Sequence, residues 1–459
     1  MTALPFRRLL TSMMCLAALG QAHEAFALGL LPAYDAALAN DAAYRAAVRE
    51  NEAGQQFKVL GRSNLLPSLS ANYSTNRNQA DITTSSIRAD ITTSSIRGDA
   101  TEHRNYTSLT ASLQLRQPLL HPEGMARYRQ GIAQTNASDA QFSVRSQDLI
   151  VRLVGLYAPA KYAEDQLAQA TAQRDAYAEQ RLSNKRLFQK GEGTRTEVLE
   201  TQAKFDLSLA QVLEARDNLD NARNALSAMV GQDITTLDAL SDDFRVKPMQ
   251  PASFEAWKEM ALANNPEIIA QRYAVEVASE EVNKQRAGHS PRLDLIASAS
   301  KNSSDTTNTF NQNANIRSLG VQLNIPLYAG GAVNAATSQA ASNHEKARAD
   351  LDAKTNQVLV ELRKQYNLTL SSALRIEAAA TSLSSAQLLV DATQKSVKGG
   401  QRTNLDVLNA QQQLFEARRD LALSRYNYLL GFVRLRYSAG TLGLADLKDI
   451  SMYFVAEKQ

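Results

Sequence analysis

Apolar and polar positions along this chain follow two spacings in turn, and the switches between them mark out its elements. From Leu31 to Lys58, apolar residues recur at helical spacing around Tyr34, Leu38, Ala42 and Val48, which predicts a helix. Across Pro67-Ser68-Leu69-Ser70-Ala71-Asn72-Tyr73-Ser74 the pattern becomes strict alternation, and it returns from Ser108 to Arg116. These runs predict strands over about 65–76 and 105–117. Between them Asp81-Ile82-Thr83-Thr84-Ser85-Ser86-Ile87-Arg88 recurs as Asp90 to Arg97, a polar tandem repeat with no core of its own, expected to be loop. A helical pattern then runs over about 123–190, which at about 1.5 Å per residue is near 100 Å. Pro159 lies inside it and should kink or locally loosen it. A second long helix is expected over about 196–230, closed by Gly231.

The same plan then repeats. Residues 28–231 form a first repeat, 232–251 a linker containing two prolines, 252–440 a second repeat and 441–459 a short tail. Leu38-Ala39-Asn40-Asp41 matches Leu262-Ala263-Asn264-Asn265, and Pro67-Ser68-Leu69 matches Pro291-Arg292-Leu293, both 224 residues later. Strands are expected over about 291–301 and 316–327, and helices over about 333–398 and 403–438. The second strands align at an offset of 208, so the first hairpin carries 16 extra residues, over half of them the tandem repeat. Each half reads helix, strand, loop, strand, very long helix, turn, long helix, an internal duplication.

Each alternating run has the length of a tilted membrane β-strand, about 9–11 residues. Leu109, Ala111, Leu113 and Leu115 line one face, and Leu319, Val321, Leu323 and Ile325 do so in the second half; Ser, Thr, Gln, Asn and Arg line the other. A half-buried strand in a soluble sandwich gives the same alternation. Four strands do not close a barrel, and in lipid an open edge leaves backbone groups unpaired at several kcal/mol each. If these strands lie in a membrane the chain must oligomerise, and twelve strands from three copies would close. The long helices, rich in Ala, Gln and paired charges, likewise need neighbours; a plain coiled-coil hairpin is the competing reading.

Composition narrows the class. Charge is nearly balanced at +3, which gives no strong pull toward nucleic acid, and aromatics are only 6%. The N-terminus reads as an export signal over residues 1–27: Arg7 and Arg8, an apolar stretch from Leu9 to Leu19, and a cleavage site at Ala25-Phe26-Ala27. The only cysteine, Cys15, lies in that signal in a context that does not favour lipid attachment, so the exported chain would have no thiol chemistry. The five histidines are scattered without metal-ligand spacing, and Gly191-Glu192-Gly193 lacks the context of a nucleotide loop. No catalytic residue, cofactor or metal is expected, and the chain is not expected to be an enzyme.

The remaining signal lies at two turns. Lys190-Gly191-Glu192-Gly193-Thr194-Arg195-Thr196-Glu197-Val198-Leu199 is echoed 209 residues later by Gly399-Gly400-Gln401-Arg402-Thr403-Asn404-Leu405-Asp406-Val407-Leu408. The Gly191/Gly400, Thr194/Thr403 and Glu197/Asp406 pairs coincide. With this duplicated turn, the Leu-Ala-x-Asn segments and the element order, the chain resembles TolC-family outer-membrane channel proteins over essentially its whole exported length. Within that family it is most similar to the type I secretion (alkaline protease secretion) branch.

The resemblance implies an α+β membrane protein: a homotrimer with a 12-stranded β-barrel in the outer membrane of a Gram-negative bacterium, continuous with a long periplasmic α-helical barrel. Its partners would be a periplasmic adaptor (membrane-fusion) protein, an inner-membrane ABC transporter and an exported protein of protease or lipase class. Small-molecule efflux stays open as an alternative, as does a periplasmic adaptor or structural coiled-coil protein. The resemblance also implies a periplasmic gate at the turns, with Arg402 reaching Thr196 and Glu197 of a neighbouring copy and Asp406 forming an acidic ring. Asn409 stands where a second ring acid is expected, so one ring is implied. Gly191, Gly193, Gly399 and Gly400 shape the turns, and ordinary helix capping is the competing role for the polar residues.

Overall fold

The computed structural model describes residues 27–88, 96–241, 243–304 and 312–455. The export signal with Cys15, and most of the second copy of the tandem repeat, lie outside the described residues. The first half contains α1 (Leu30–Asn40), α2 (Ala42–Gly54), α3 (Gln56–Ser63), β1 (Ser68–Arg88), β2 (Ile96–Leu120), α4 (Pro122–Gln189) and α5 (Arg195–Val230). A two-residue strand, β3 (Ala239–Leu240), leads to α6 (Phe254–Asn264) and α7 (Pro266–Arg286), then β4 (Arg292–Ser304) and β5 (Gln312–Asn324). Helices α8 (Ala332–Lys398) and α9 (Asn404–Ser438) follow, and α10 (Leu444–Ser451) and β6 (Phe454–Val455) complete the described chain.

Two compact units result, and each draws on both sequence halves. One takes the described part of Met1–Glu50, Ala140–Ile269 and Ala353–Gln459; the other takes Asn51–Asp139 and Ala270–Asp352. The second unit holds a four-stranded antiparallel sheet in the order β1-β2-β4-β5, so the hairpins of the two halves meet along β2 and β4. In the register Leu69 faces Leu115, Leu115 faces Ala297, and Ala297 faces Leu319.

The first hairpin is longer than the alternation predicts. Asp81–Arg88, expected as loop, is strand, and β1 pairs with β2 as far as Arg88 opposite Ile96. Among the described residues Ser108 is the last of β2 paired with β4, and beyond it β1 and β2 continue to pair with each other as a ribbon. Its Asp81–Arg88 stretch does not alternate apolar with polar residues, so no hydrophobic period betrays it. β5 ends at Asn324, short of the expected 327, because Pro326 has no N–H for a ladder.

The other unit is built on the long helices. Leu149, Leu153, Tyr157, Leu226, Leu237 and Leu429 are almost fully buried together, each contributing about 1.5–3 kcal/mol from burial. The helix expected over 31–58 is three helices. At Asn40-Asp41 the chain leaves the helix: Asp41 has ψ 116°, its N–H closes on Ala37 at 2.8 Å, and its carboxylate accepts the Tyr44 N–H at 2.6 Å. Asn265 breaks the second half alike, with ψ 118° and a side-chain oxygen accepting from Glu267 and Ile268. The repeated Leu-Ala-x-Asn/Asp segment is thus a helix break.

Helix α4 runs unbroken through Pro159, whose exposed ring leaves only the part-exposed carbonyl of Gly155 without its helical partner. The expected linker and tail are also organised. β3 pairs with β6, Leu28 bridges to Leu237, and the Tyr157 hydroxyl donates to the Leu28 carbonyl at 2.8 Å. Trp257 is fully buried, and its indole N–H donates to the Pro251 carbonyl at 2.7 Å.

Candidate functional site

The two duplicated turns end their helices with the same bonds. At the first, the Gly191 N–H reaches the Phe188 carbonyl at 3.0 Å and the Glu192 N–H reaches Leu187 at 3.0 Å. At the second, Gly400 reaches Val397 at 3.0 Å and Gln401 reaches Ser396 at 2.9 Å. Both are Schellman closures, which need a left-handed residue; Gly191 has φ +78° and Gly400 φ +71°. Gly193 and Gly399 do not carry a positive φ.

The next helices begin on matching caps. The Glu197 carboxylate accepts from the Thr194 N–H at 2.9 Å and hydroxyl at 3.1 Å, while the Glu197 N–H donates back to that hydroxyl oxygen at 3.2 Å. The Asp406 carboxylate accepts from the Thr403 N–H at 2.9 Å and hydroxyl at 3.0 Å. The Thr403 N–H and then its hydroxyl hold the Asp406 carboxyl below the usual carboxylate range, helped by the charge of Arg402. An anionic group therefore stands at the start of α9, favoured there by the helix dipole.

Of the sequence-predicted residues, Thr196, Arg402 and Asn409 are exposed, and Glu197 and Asp406 are half-buried in their caps. Among the described residues Arg402 makes no ion pair with Glu197 inside one chain. The acids are joined to their own threonines and Arg402 is left projecting.

Sequence reasoning missed a buried polar link just behind the first turn. Asn184 of α4 is 2% exposed and Thr201 of α5 is fully buried. The Asn184 amide donates to the Thr201 hydroxyl at 3.2 Å, and its carbonyl accepts from Asn404 of α9 at 3.1 Å and from Gln180 at 3.2 Å. The Thr201 hydroxyl donates in turn to the Glu197 carbonyl. Nearby, Lys204 donates to Gln412 at 2.6 Å, and the Arg181 guanidinium lies 4.2 Å from the Phe205 ring centre. Three helices are tied together here by side-chain amides. The second hairpin instead packs Ala386, Val390, Ala410, Leu414 and Ala417 into an apolar seam. Its Thr393, 209 residues after Asn184, is as buried, but its hydroxyl has no hydrogen-bond partner among the described residues.

The sheet supplies a second functional surface. On one face Leu69, Leu113, Leu319, Val321 and Leu323 are largely exposed, Leu319 by 75%. The opposite face is polar, and near the strand ends that join the helices it carries a buried Asp294 bridged by Arg116 at 2.6 Å and Arg292 at 2.9 Å. Strands β1 and β5 are the sheet edges within the chain. Among the described residues no group of His, Cys, Asp or Glu is arranged to hold a metal ion, and no helix is long and apolar enough to cross a membrane.

Comparison with known proteins agrees with this geometry. The family model described as outer membrane efflux protein matches residues 33–232 and 257–441. Alkaline protease secretion protein AprF of Pseudomonas aeruginosa is 44% identical over 452 residues, covering 98% of this chain and 92% of that protein. Proteases secretion protein PrtF of Dickeya chrysanthemi is 39% identical over 438 residues, covering 94% and 92%. The crystal structure of the Campylobacter jejuni CmeC outer membrane channel shares the fold, with a TM-score of 0.74 over 92% of this chain and 89% of that one, at 18% identity.

Proposed function

Because the chain belongs to the outer membrane efflux protein family, we propose that it serves as the outer-membrane channel-tunnel of a type I secretion system. It is an outer-membrane protein with the fold of the TolC-like channels, and the family consists of channels. In this reading it passes a protein of protease class to the exterior, and it works with a periplasmic adaptor and an inner-membrane ABC transporter that supplies the energy. It performs no reaction itself. The observation that carries the substrate class is the 44% identity over 98% of the chain to a protein named for alkaline protease secretion.

The working form is a homotrimer with two repeats per chain. The exposed apolar sheet face and the open edges of β1 and β5 support this, since three copies would close a 12-stranded barrel and pair every edge. The four long helices per chain would form a 12-helix tunnel in the periplasm, with the capped turns at its entrance. There the free Arg402 reaches Thr196 and Glu197 of the next copy, and three Asp406 carboxylates form one acidic ring that draws cations. Exposed links of this kind are worth about 0–1 kcal/mol each, weak enough to yield to a docked partner.

Two measurements test the reading. Cells that make the adaptor, the transporter and a type I-exported protease should secrete the protease only when this chain is present; secretion without it refutes the assignment. Replacing Arg402→Ser should raise single-channel conductance in planar bilayers, and unchanged conductance with the trimer intact removes the gate role.

A further inference from the structure

The apolar face of the sheet ends in cations. Moving along each strand away from its helix, that face reads Leu323, Val321, Leu319 and then Arg317 on β5, and Leu293, Leu295, Ala297, Ala299 and then Lys301 on β4. On β2 it reads Leu115, Leu113, Ala111, Leu109 and then Thr107; on β1 it reads Leu69, Ala71, Tyr73, Thr75 and then Arg77. On three of the four strands the first charged residue is basic.

The register relates these positions. Arg317 lies opposite Ala299, one pair short of Lys301, so the two are diagonal neighbours on one face, about 7–8 Å apart between backbones. Lys301 shares a cross-strand row with Ala111 and Tyr73. The edge of the apolar band therefore steps along the strands from Leu319 on β5 through Ala299 on β4 to Leu109 on β2, as it does when strands are tilted in a barrel, and falls back one pair to Tyr73 on β1. Tyr73 is 67% exposed on that face, an aromatic at the level where membrane barrels place their interfacial girdle.

Among the side chains described, no acid balances these cations. Asp294 and Glu102 point to the opposite face, and Asp81, on the same face, lies four residues beyond Arg77 and is engaged by His103. Among the described residues Arg77, Lys301 and Arg317 make no ion pair, and all three are exposed. Three cations bordering a lipid-sized apolar face, with Thr107, Ser303 and Asn315 beside them as hydrogen-bonding groups, complement phosphate groups at the headgroup level.

We propose that Arg77, Lys301 and Arg317 form a phosphate-binding fringe that holds an anionic lipid of the outer leaflet by its headgroup phosphates. The inference rests on the reading that the sheet's apolar face is embedded in lipid. Long basic side chains at such a boundary lay their stems along apolar surface and turn their charges outward, which suits a phosphorylated glycolipid such as lipid A.

The test uses the full-length chain, purified in a neutral detergent and titrated by native mass spectrometry with bisphosphorylated lipid A and with the same lipid stripped of phosphate. The wild-type chain should prefer the phosphorylated form by roughly tenfold or more, because cations are attracted to an anionic headgroup layer. The R77Q/K301Q/R317Q variant should lose that preference while still fractionating with outer membranes. A second readout does not depend on the variant folding: the wild-type preference should fall as ionic strength rises.

A wild-type chain without phosphate preference, a preference indifferent to salt, or a folded variant that keeps the preference would each overturn the proposal. A wild-type chain that fails to float with phosphatidylcholine vesicles would refute the membrane reading itself, a separate result.

Discussion

Removing the buried amide behind the first turn should loosen both hairpin ends. Asn184→Ala deletes the bond to the Thr201 hydroxyl at 3.2 Å and the bond from Asn404 at 3.1 Å. Thr201 is fully buried and keeps its donation to the Glu197 and Val198 carbonyls but loses the amide that donates to it, so the first loss costs about 1 kcal/mol. Asn404 is half-buried and recovers part of its loss from water, which adds about 0.5–1 kcal/mol. The sum, about 2 kcal/mol, corresponds to a roughly 30-fold larger population of locally opened ends. Hydrogen exchange on the full-length protein reads this directly at the amides of 195–202 and 404–411, where protection should fall by that factor. Asn409→Ala, on an exposed side chain of the same helix, should leave it unchanged. Protection within threefold of wild type in Asn184→Ala, with the helices intact, would show that Asn184 does not tie the three helices together.

Two further expectations concern local chemistry. Hydrogen bonds from Arg152 hold the Asp41 carboxyl below the usual carboxylate range. Because that pKa is lowered on folding, the pair stabilises fully above about pH 4 and its contribution fades as pH falls through the lowered value. Asp41→Asn should thus reduce Tm at neutral pH, by a loss of about 1–2 kcal/mol, and the two melting curves should converge as pH falls below the lowered pKa. Gly400→Ala forces a side chain into φ +71° and should destabilise the turn by about 1–2 kcal/mol. Gly399→Ala, whose new methyl would meet its nearest neighbour at 3.6 Å, should be nearly neutral in the same melting assay.

What the residues announce in advance follows from where physics leaves a pattern. The turns were legible because Gly191 and Gly400 need a left-handed backbone and Thr194 and Thr403 begin helices. The strands were legible only where apolar and polar residues alternate; the sequence from Asp81 to Arg88 has no such alternation, and the strand is held by its backbone ladder with cross-strand side-chain bonds at Asp81 and Thr83. The helix break at Asp41 was hidden because apolar spacing continues across it, and the break is made by one carboxylate shared between the Tyr44 N–H and Arg152. Asn184 was hidden because a buried amide in a helix rich in Gln and Asn looks like a wet surface residue. The roles given to Glu197 and Asp406 illustrate the converse. Their spacing after a threonine marks a cap, and within one chain the structure uses them as caps.

The closures at Gly191 and Gly400 bear on how the proposed entrance would widen. Each end closes its last helical carbonyls on the amides of its own turn and commits its acid to its own threonine. Nothing in the backbone has to melt for an end to swing outward. The ends behave as finished, rigid fingers, and the compliance sits one turn behind them, in the few amide contacts that Asn184 makes across α4, α5 and α9. If a partner docks at these ends as proposed, it has only side-chain bonds to exchange, and the motion is reversible without refolding.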